Sequence, residues 1–222
     1  SSARVAATVP RWRSSSWSST TDCRRSTTRS SGNSRGFLAS GGTLSCVTTI
    51  TSLLQDASEI APLDVVGRAL ELDRLGDATN RDRFDPGHFT ASGFVVSPGG
   101  SALLLVHHRR LDRWLQPGGH IDPGDASPAA AAVREVLEET GIATEPILQN
   151  LIDLDIHPIP PRAPEPRHEH FDLRFALQAR DDEVVVDDEV NDAVWVPWSK
   201  IHSYAVDDSV IRGVAGLRRV CS

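Results

Sequence analysis

The chain has 222 residues, 39% of them hydrophobic and 24% charged, ordinary proportions for a globular protein able to bury its own core. No apolar run approaches the ~20 residues of a membrane span, and three scattered cysteines (Cys23, Cys46, Cys221) without metal-like spacing fit a reducing cytosol better than a disulfide framework. The net charge of −7 is unevenly placed, because residues 1–46 hold seven arginines against the single acid Asp22. The acidic remainder repels nucleic acid and anionic membranes, so a phosphate-bearing substrate needs bound cations to dock there. The absence of a charged-then-apolar leader sets the expectation of a cytoplasmic protein.

In chain order, residues 1–46 are rich in Ser and Arg, with 13 serines and no hydrophobic periodicity, and the expectation is disorder. The lack of any methionine and the abrupt change of style near Val47 also fit upstream DNA read from a start placed too early. Residues 47–87 read as a helical extension. Thr51 or Ser52 caps a first short helix, Pro62 breaks it, and Val65, Val66, Ala69, Leu70 and Leu72 stripe a second that stops at Gly76. From residue 88 to 222 the pattern is a second domain. Phe89–Val96 and Ala102–His107 flank the turn Ser97-Pro98-Gly99-Gly100 and read as a hairpin. A helix spans Pro128–Thr140, a strand Ile147–Ile156, and a loop with five prolines follows. Phe171, Leu173, Phe175 and Leu177 alternate with polar residues as in a half-buried strand. Ala193–Val196 is a short strand and Val210–Val220 a closing helix. Short strands with helices between and after them indicate an α/β (α+β) sandwich.

The Pro128–Thr140 helix has the strongest local signals: Ser127 as N-cap, Pro128 in the first turn, four alanines, and Gly141 as the stop. Glu135, Glu138 and Glu139 stand at i, i+3 and i+4, on one face. Crowding carboxylates is unfavourable without a cation among them, and a hard divalent ion suits oxygen donors. Most glutamate-rich helices are merely solvated. Here a glycine-rich loop, Pro117-Gly118-Gly119-His120 with Pro123-Gly124-Asp125, runs straight into the helix and lets backbone approach a ligand.

The segment Gly119–Ile142, GHIDPGDASPAAAAVREVLEETGI, resembles the Nudix box. Arg134-Glu135-Val136-Leu137-Glu138-Glu139-Thr140-Gly141-Ile142 agrees with the second half of that signature throughout. The first half departs from it twice: Asp125 stands where the family has glutamate, and one extra residue precedes the Ser127 cap. The resemblance implies a Nudix-type α/β/α sandwich with a mixed sheet, carrying a loop-helix-loop site. It implies an enzyme cutting a phosphoanhydride bond by attack of water, with Mg²⁺ (Mn²⁺ as the alternative ion) held by Glu135, Glu138, Glu139 and the Gly118 carbonyl. Arg134 would position a glutamate by a charge-assisted pair.

Other positions carry weaker signals. Among Asp187, Asp188 and Glu189, Glu189 is the candidate for a further metal carboxylate from a late loop. His168, His170, Asp172 and Arg174 share one strand face, which is either a polar lining for substrate or the wet face of an edge strand. His107-His108-Arg109-Arg110 reads as a loop, from which Arg109 or Arg110 could meet phosphate. The leading substrate class is a nucleoside diphosphate linked to another moiety, and the alternative is sanitising of an oxidised nucleoside triphosphate. A ligand sensor or nucleic-acid reader is disfavoured by the intact glutamates and the acidic body. Oligomeric state has no signal in the sequence.

Overall fold

The computed structural model describes residues 48–186 and 190–221. The expectations for residues 1–46 and for Asp187, Asp188 and Glu189 lie outside the described residues. Helix α1 (Ile50–Gln55) is capped by Thr49 in a reciprocal box with Ser52, two or three residues earlier than the sequence suggested, and α2 (Leu63–Leu75) follows Pro62. Then come β1 (Gly87–Val96), β2 (Ala102–His108), β3 (Arg113–Leu115), β4 (Gly118–His120), α3 (Pro128–Thr140), β5 (Thr144–Pro146), β6 (Asp153–Ile159), β7 (His168–Ala179), β8 (Val190–Pro197) and α4 (Asp208–Val220).

The strands form one mixed sheet, ordered β3-β2-β1-β7-β5, with β4 also on β1, β6 on β7 and β8 on β2. Its spine is the parallel pair β1–β7, in register from Gly87↔Glu169 to Val96↔Gln178. The expected β1–β2 hairpin is reduced to the single pair Val96↔Leu103, and β2 runs instead against β8 from Ala102 to His108. The reason is burial. All ten residues of β1 are buried, and a strand covered on both faces belongs inside a sheet, here between β7 on one edge and β2 and β4 on the other.

Period two sorts the sheet into two faces. Phe89, Ala91, Val95, Phe171, Leu173, Phe175 and Leu177 share a core with Ala129, Ala132 and Val136 of α3 and with Val66, Ala69 and Leu72 of α2. Phe94, Val96, Leu103, Leu105 and Ala176 meet Val210, Val214 and Leu217 of α4 on the other side. Each fully buried Phe or Leu contributes about 1.5–3 kcal/mol. Helices on both faces make the α/β/α sandwich. Helix α4 lies hard against the sheet at Gly213, where an added Cβ would stand 2.0 Å from the Phe94 ring.

The α4 face is not apolar along its whole length. Towards the start of β1 it carries His88, Thr90 and Ser92, in register with His170, Asp172 and Arg174 of β7. Strand β6 adds Asp153, Asp155 and His157 beside Arg174, Asp172 and His170.

Candidate active site

Helix α3 starts where the sequence placed it. The Ser127 hydroxyl accepts the Ala130 N–H at 3.2 Å, and Gly141 closes the helix in the left-handed region at φ 70°. Its apolar side is buried against β1, which turns the carboxylate side to the glycine loop. That loop is a strand: β4 pairs with β1 through Thr90↔His120, Ala91↔Gly119 and Ser92↔Gly118. Gly119 faces Glu135 so closely that a Cβ there would lie 2.6 Å from its Oε2. The Gly118 N–H donates to Glu139 Oε2 at 3.1 Å. Glu139 is 4% exposed, whereas the Glu138 side chain is 54% exposed and turned outward.

Arg134 ties the group together. Its Nε and Nη2 donate to both Asp125 oxygens (3.1 and 2.9 Å), Nη1 donates to Glu135 (2.9 Å) and Glu138 (2.8 Å), and Nη2 also reaches the His120 carbonyl (2.8 Å). The bond to Asp125, followed by those to the two glutamates, raises the guanidinium pKa above its usual value. Burial pushes the Asp125 carboxyl up, but the Arg134 fork and the Asp122 N–H more than offset it and leave it below its ordinary value. The Asp125 carboxylate is therefore the clamp on Arg134, a role the sequence reading did not assign. Four carboxylates stand against one guanidinium here. That donor set, with the cradle at Gly119 that only a missing Cβ keeps open, fits a hard divalent cation.

The β7 face divides. His168 and His170 line a pocket with His120, Arg81, Arg110 and Glu165. Burial lowers the pKa of His88, of His120 to about 4, and of His170 furthest of the three. Asp172 and Arg174 are placed away from that lining, at 2% and 1% exposure. Asp172 accepts from Ser92 Oγ (2.5 Å), Gln116 Nε2 (3.1 Å) and Arg174 Nε (2.9 Å). The remaining Arg174 nitrogens go to Asp153 (2.9 Å), Asp155 (3.2 Å) and Ser209 of α4. Arg110 reaches the pocket, bound to Glu165 at 2.9 Å, while Arg109 bonds Asn191.

The NUDIX domain model matches residues 87–213, more than half of the chain. The chain belongs to the Nudix family. A putative 8-oxo-dGTP diphosphatase of Bacillus subtilis is 46% identical over 54 residues, 24% of this chain and 36% of that protein, so the match spans about a third of that relative's length. A probable DHNTP pyrophosphohydrolase of Lactococcus lactis is 26% identical over 137 residues, 59% of this chain and 80% of that one. A crystallised NUDIX-family hydrolase from Clostridium perfringens is 20% identical over 64% of this chain and 97% of its own, with a TM-score of 0.49.

Within this Nudix domain the box carries one residue that joins two regions. The carbonyl of His120 accepts from Arg134, and its ring stands 5.1 Å from that of His88 and 5.5 Å from that of His170. Neither His88 nor His120 stood out in the sequence. The signal for them is register: His88 pairs with His170, 82 residues on, and His120 with Thr90. No helix among the described residues is long and apolar enough to cross a membrane.

Proposed function

We propose that this chain is a divalent-metal-dependent hydrolase of phosphoanhydrides in small nucleotide-type substrates. The observation that carries the reading is the Nudix box folded as a working unit: Glu135 against Gly119, Glu139 against Gly118, and both Glu135 and Glu138 gripped by Arg134. Glu135, Glu138, Glu139 and the Gly118 carbonyl would hold Mg²⁺, with Mn²⁺ as the alternative ion, and Glu189 would add a ligand from the late loop. A divalent ion bound there supplies neutralisation of charge on the phosphoryl oxygens and acidifies water. Arg134 fixes the directions of two carboxylates, and one carboxylate of the group takes the proton from the attacking water. His168 and His170, with His120 and Arg110, present a polar lining to the substrate.

The first substrate class is a nucleoside diphosphate linked to another moiety. The second is an oxidised nucleoside triphosphate, a class related to the compounds in the two relatives' names, 8-oxo-dGTP and DHNTP. The acidic body argues against nucleic acid as partner, and the cysteine usage argues for the cytoplasm. The three-part organisation, with an N-terminal segment to residue 46, a helical extension to 87 and the Nudix domain to 222, belongs to this proposal. A panel of nucleoside diphosphate sugars, ADP-ribose and nucleoside triphosphates with Mg²⁺, scored by separated products, tests it. Cleavage of one class that stops on chelation is expected. No cleavage of any class, or cleavage indifferent to chelation, overturns it.

A further inference from the structure

We propose that His88, His168 and His170 form a site for a divalent transition-metal ion of the zinc class, separate from the carboxylates of α3. The inference goes beyond the hydrolytic reading and does not rest on it. One ring nitrogen from each residue lies within 4.8 Å of the others, the only such trio of His, Cys, Asp or Glu among the described residues. His168 Nε2 and His170 Nε2 are 3.3 Å apart. Two imidazole nitrogens on one tetrahedral ion, with bonds of ~2.0–2.1 Å, sit about that far from each other.

The outer contacts set the tautomers. His88 Nδ1 donates to the Arg83 carbonyl at 2.9 Å, and His168 Nδ1 donates to the Pro166 carbonyl at 2.9 Å. A ring N–H on a backbone carbonyl is the usual support of a metal-bound histidine, because it turns the other nitrogen's lone pair to the ion. In His88, itself wholly buried, that other nitrogen has no hydrogen-bond partner. An orphaned polar atom in the interior is costly, and a metal ion relieves it.

The donor class selects the ion. Imidazole nitrogens suit Zn²⁺, Co²⁺, Ni²⁺ or Cu²⁺, whereas Mg²⁺ prefers oxygen. His168 and His170 face the pocket, so a fourth position opens to water, to His120 or to an anionic group entering there. The site joins the start of β1 to the start of β7, the residues where the central parallel pair begins.

The test uses the full chain carrying Glu138→Gln and Glu139→Gln, which weakens the carboxylate site, after chelation and dialysis. Co²⁺ is added and its visible absorption followed, then Zn²⁺ is added in competition. One equivalent of Co²⁺ with an intense four- or five-coordinate spectrum is expected, displaced by Zn²⁺ and not by excess Mg²⁺. The spectrum should be lost on adding His170→Gln or His168→Asn, with circular dichroism confirming the fold. Imidazole ¹⁵N resonances of the unsubstituted chain give a second reading, and one equivalent of Zn²⁺ should move three of them. No such spectrum, a spectrum that survives both histidine substitutions, or unmoved imidazole resonances, meaning a histidine–histidine hydrogen bond only, would overturn the site. None of these readouts involves turnover, so they fail or succeed independently of the hydrolase reading.

Discussion

Replacing Glu138 or Glu139 by Gln should abolish most activity and leave the fold standing. The side chains differ in setting, so the stability expectation differs too. Glu139 is nearly buried and accepts the Gly118 N–H at 3.1 Å. Glutamine keeps an acceptor oxygen there and loses only the charge assistance, the difference between ~1.5–3 and ~0.5–1.5 kcal/mol for charged and neutral hydrogen bonds. Relief of repulsion among neighbouring carboxylates returns ~0.2–0.5 kcal/mol. The net cost is about 1 kcal/mol, or roughly 2–4 °C in Tm for a domain of this size. Glu138 is exposed and pairs with Arg134 at i,i+4, a contact worth ~0.3–0.5 kcal/mol, so its loss should scarcely register. Turnover should fall on the order of 10²-fold in each variant, because a lost charge misplaces the water and the phosphoryl group. Phosphate released after coupling to a phosphatase, with Mg²⁺ varied, measures kcat, and calorimetry measures Tm. Near-normal turnover in both variants at saturating Mg²⁺ would refute the reasoning, as would a collapse of Tm that accounts for the lost activity.

Gly119→Ala places a methyl 2.6 Å from a Glu135 oxygen. The carboxylate end can swing away, so Tm should hold within a few degrees while kcat drops roughly 10- to 10²-fold; unchanged kcat would show that the Glu135 position is immaterial. Arg174→Met removes a buried cation from three aspartates and should cost about 3–5 kcal/mol at neutral pH. Burial pushes Asp155 up, yet His157, Arg174 and Arg212 together hold it well below the usual carboxylate range. Its stabilising contribution is therefore fully present above its unfolded pKa of ~3.9 and is lost as pH falls from there through its lower folded pKa. The Tm gap between wild type and Arg174→Met should be widest near neutrality and narrow as pH falls below about 4. A gap indifferent to acid would contradict the assignment.

The box helix was legible because its signals are local: the Ser127 cap, the alanine run and Gly141 are contiguous in sequence. The alternation in β7 was legible for the same reason, and α4 began within two residues of its expected start. The central sheet was not legible. A turn of the Ser97–Gly100 kind advertises a hairpin, but β2 goes to β8, whose residues lie roughly 90 positions away. The sandwich class followed from the order of short strands and helices, and its α/β/α layering with a mixed sheet from the family resemblance. At the site, the three glutamates followed from helical spacing. Asp125 as the partner of Arg134 depends on a loop doubling back across the N-cap. The shared face of His168, His170, Asp172 and Arg174 was also readable. Its division between a pocket and a buried ion network depends on β1, β6 and α4, and period two within one strand says nothing about those neighbours.

The parallel β1–β7 ladder has a consequence for biosynthesis. Residues 87–96 find their main partner only in residues 169–178, so roughly 80 residues of chain must be closed into a loop before the first of those hydrogen bonds is rewarded. A ribosome making the chain at ~5–20 residues per second leaves β1 waiting for several seconds, with Phe89, Phe94 and Val95 uncovered on an unpaired edge. Helix α3 emerges well before β7, whose Phe175 and Leu177 complete the core on which it packs. High contact order makes such assembly slow, and a nascent chain stalled before His168 presents an aggregation-prone strand in place of an enzyme.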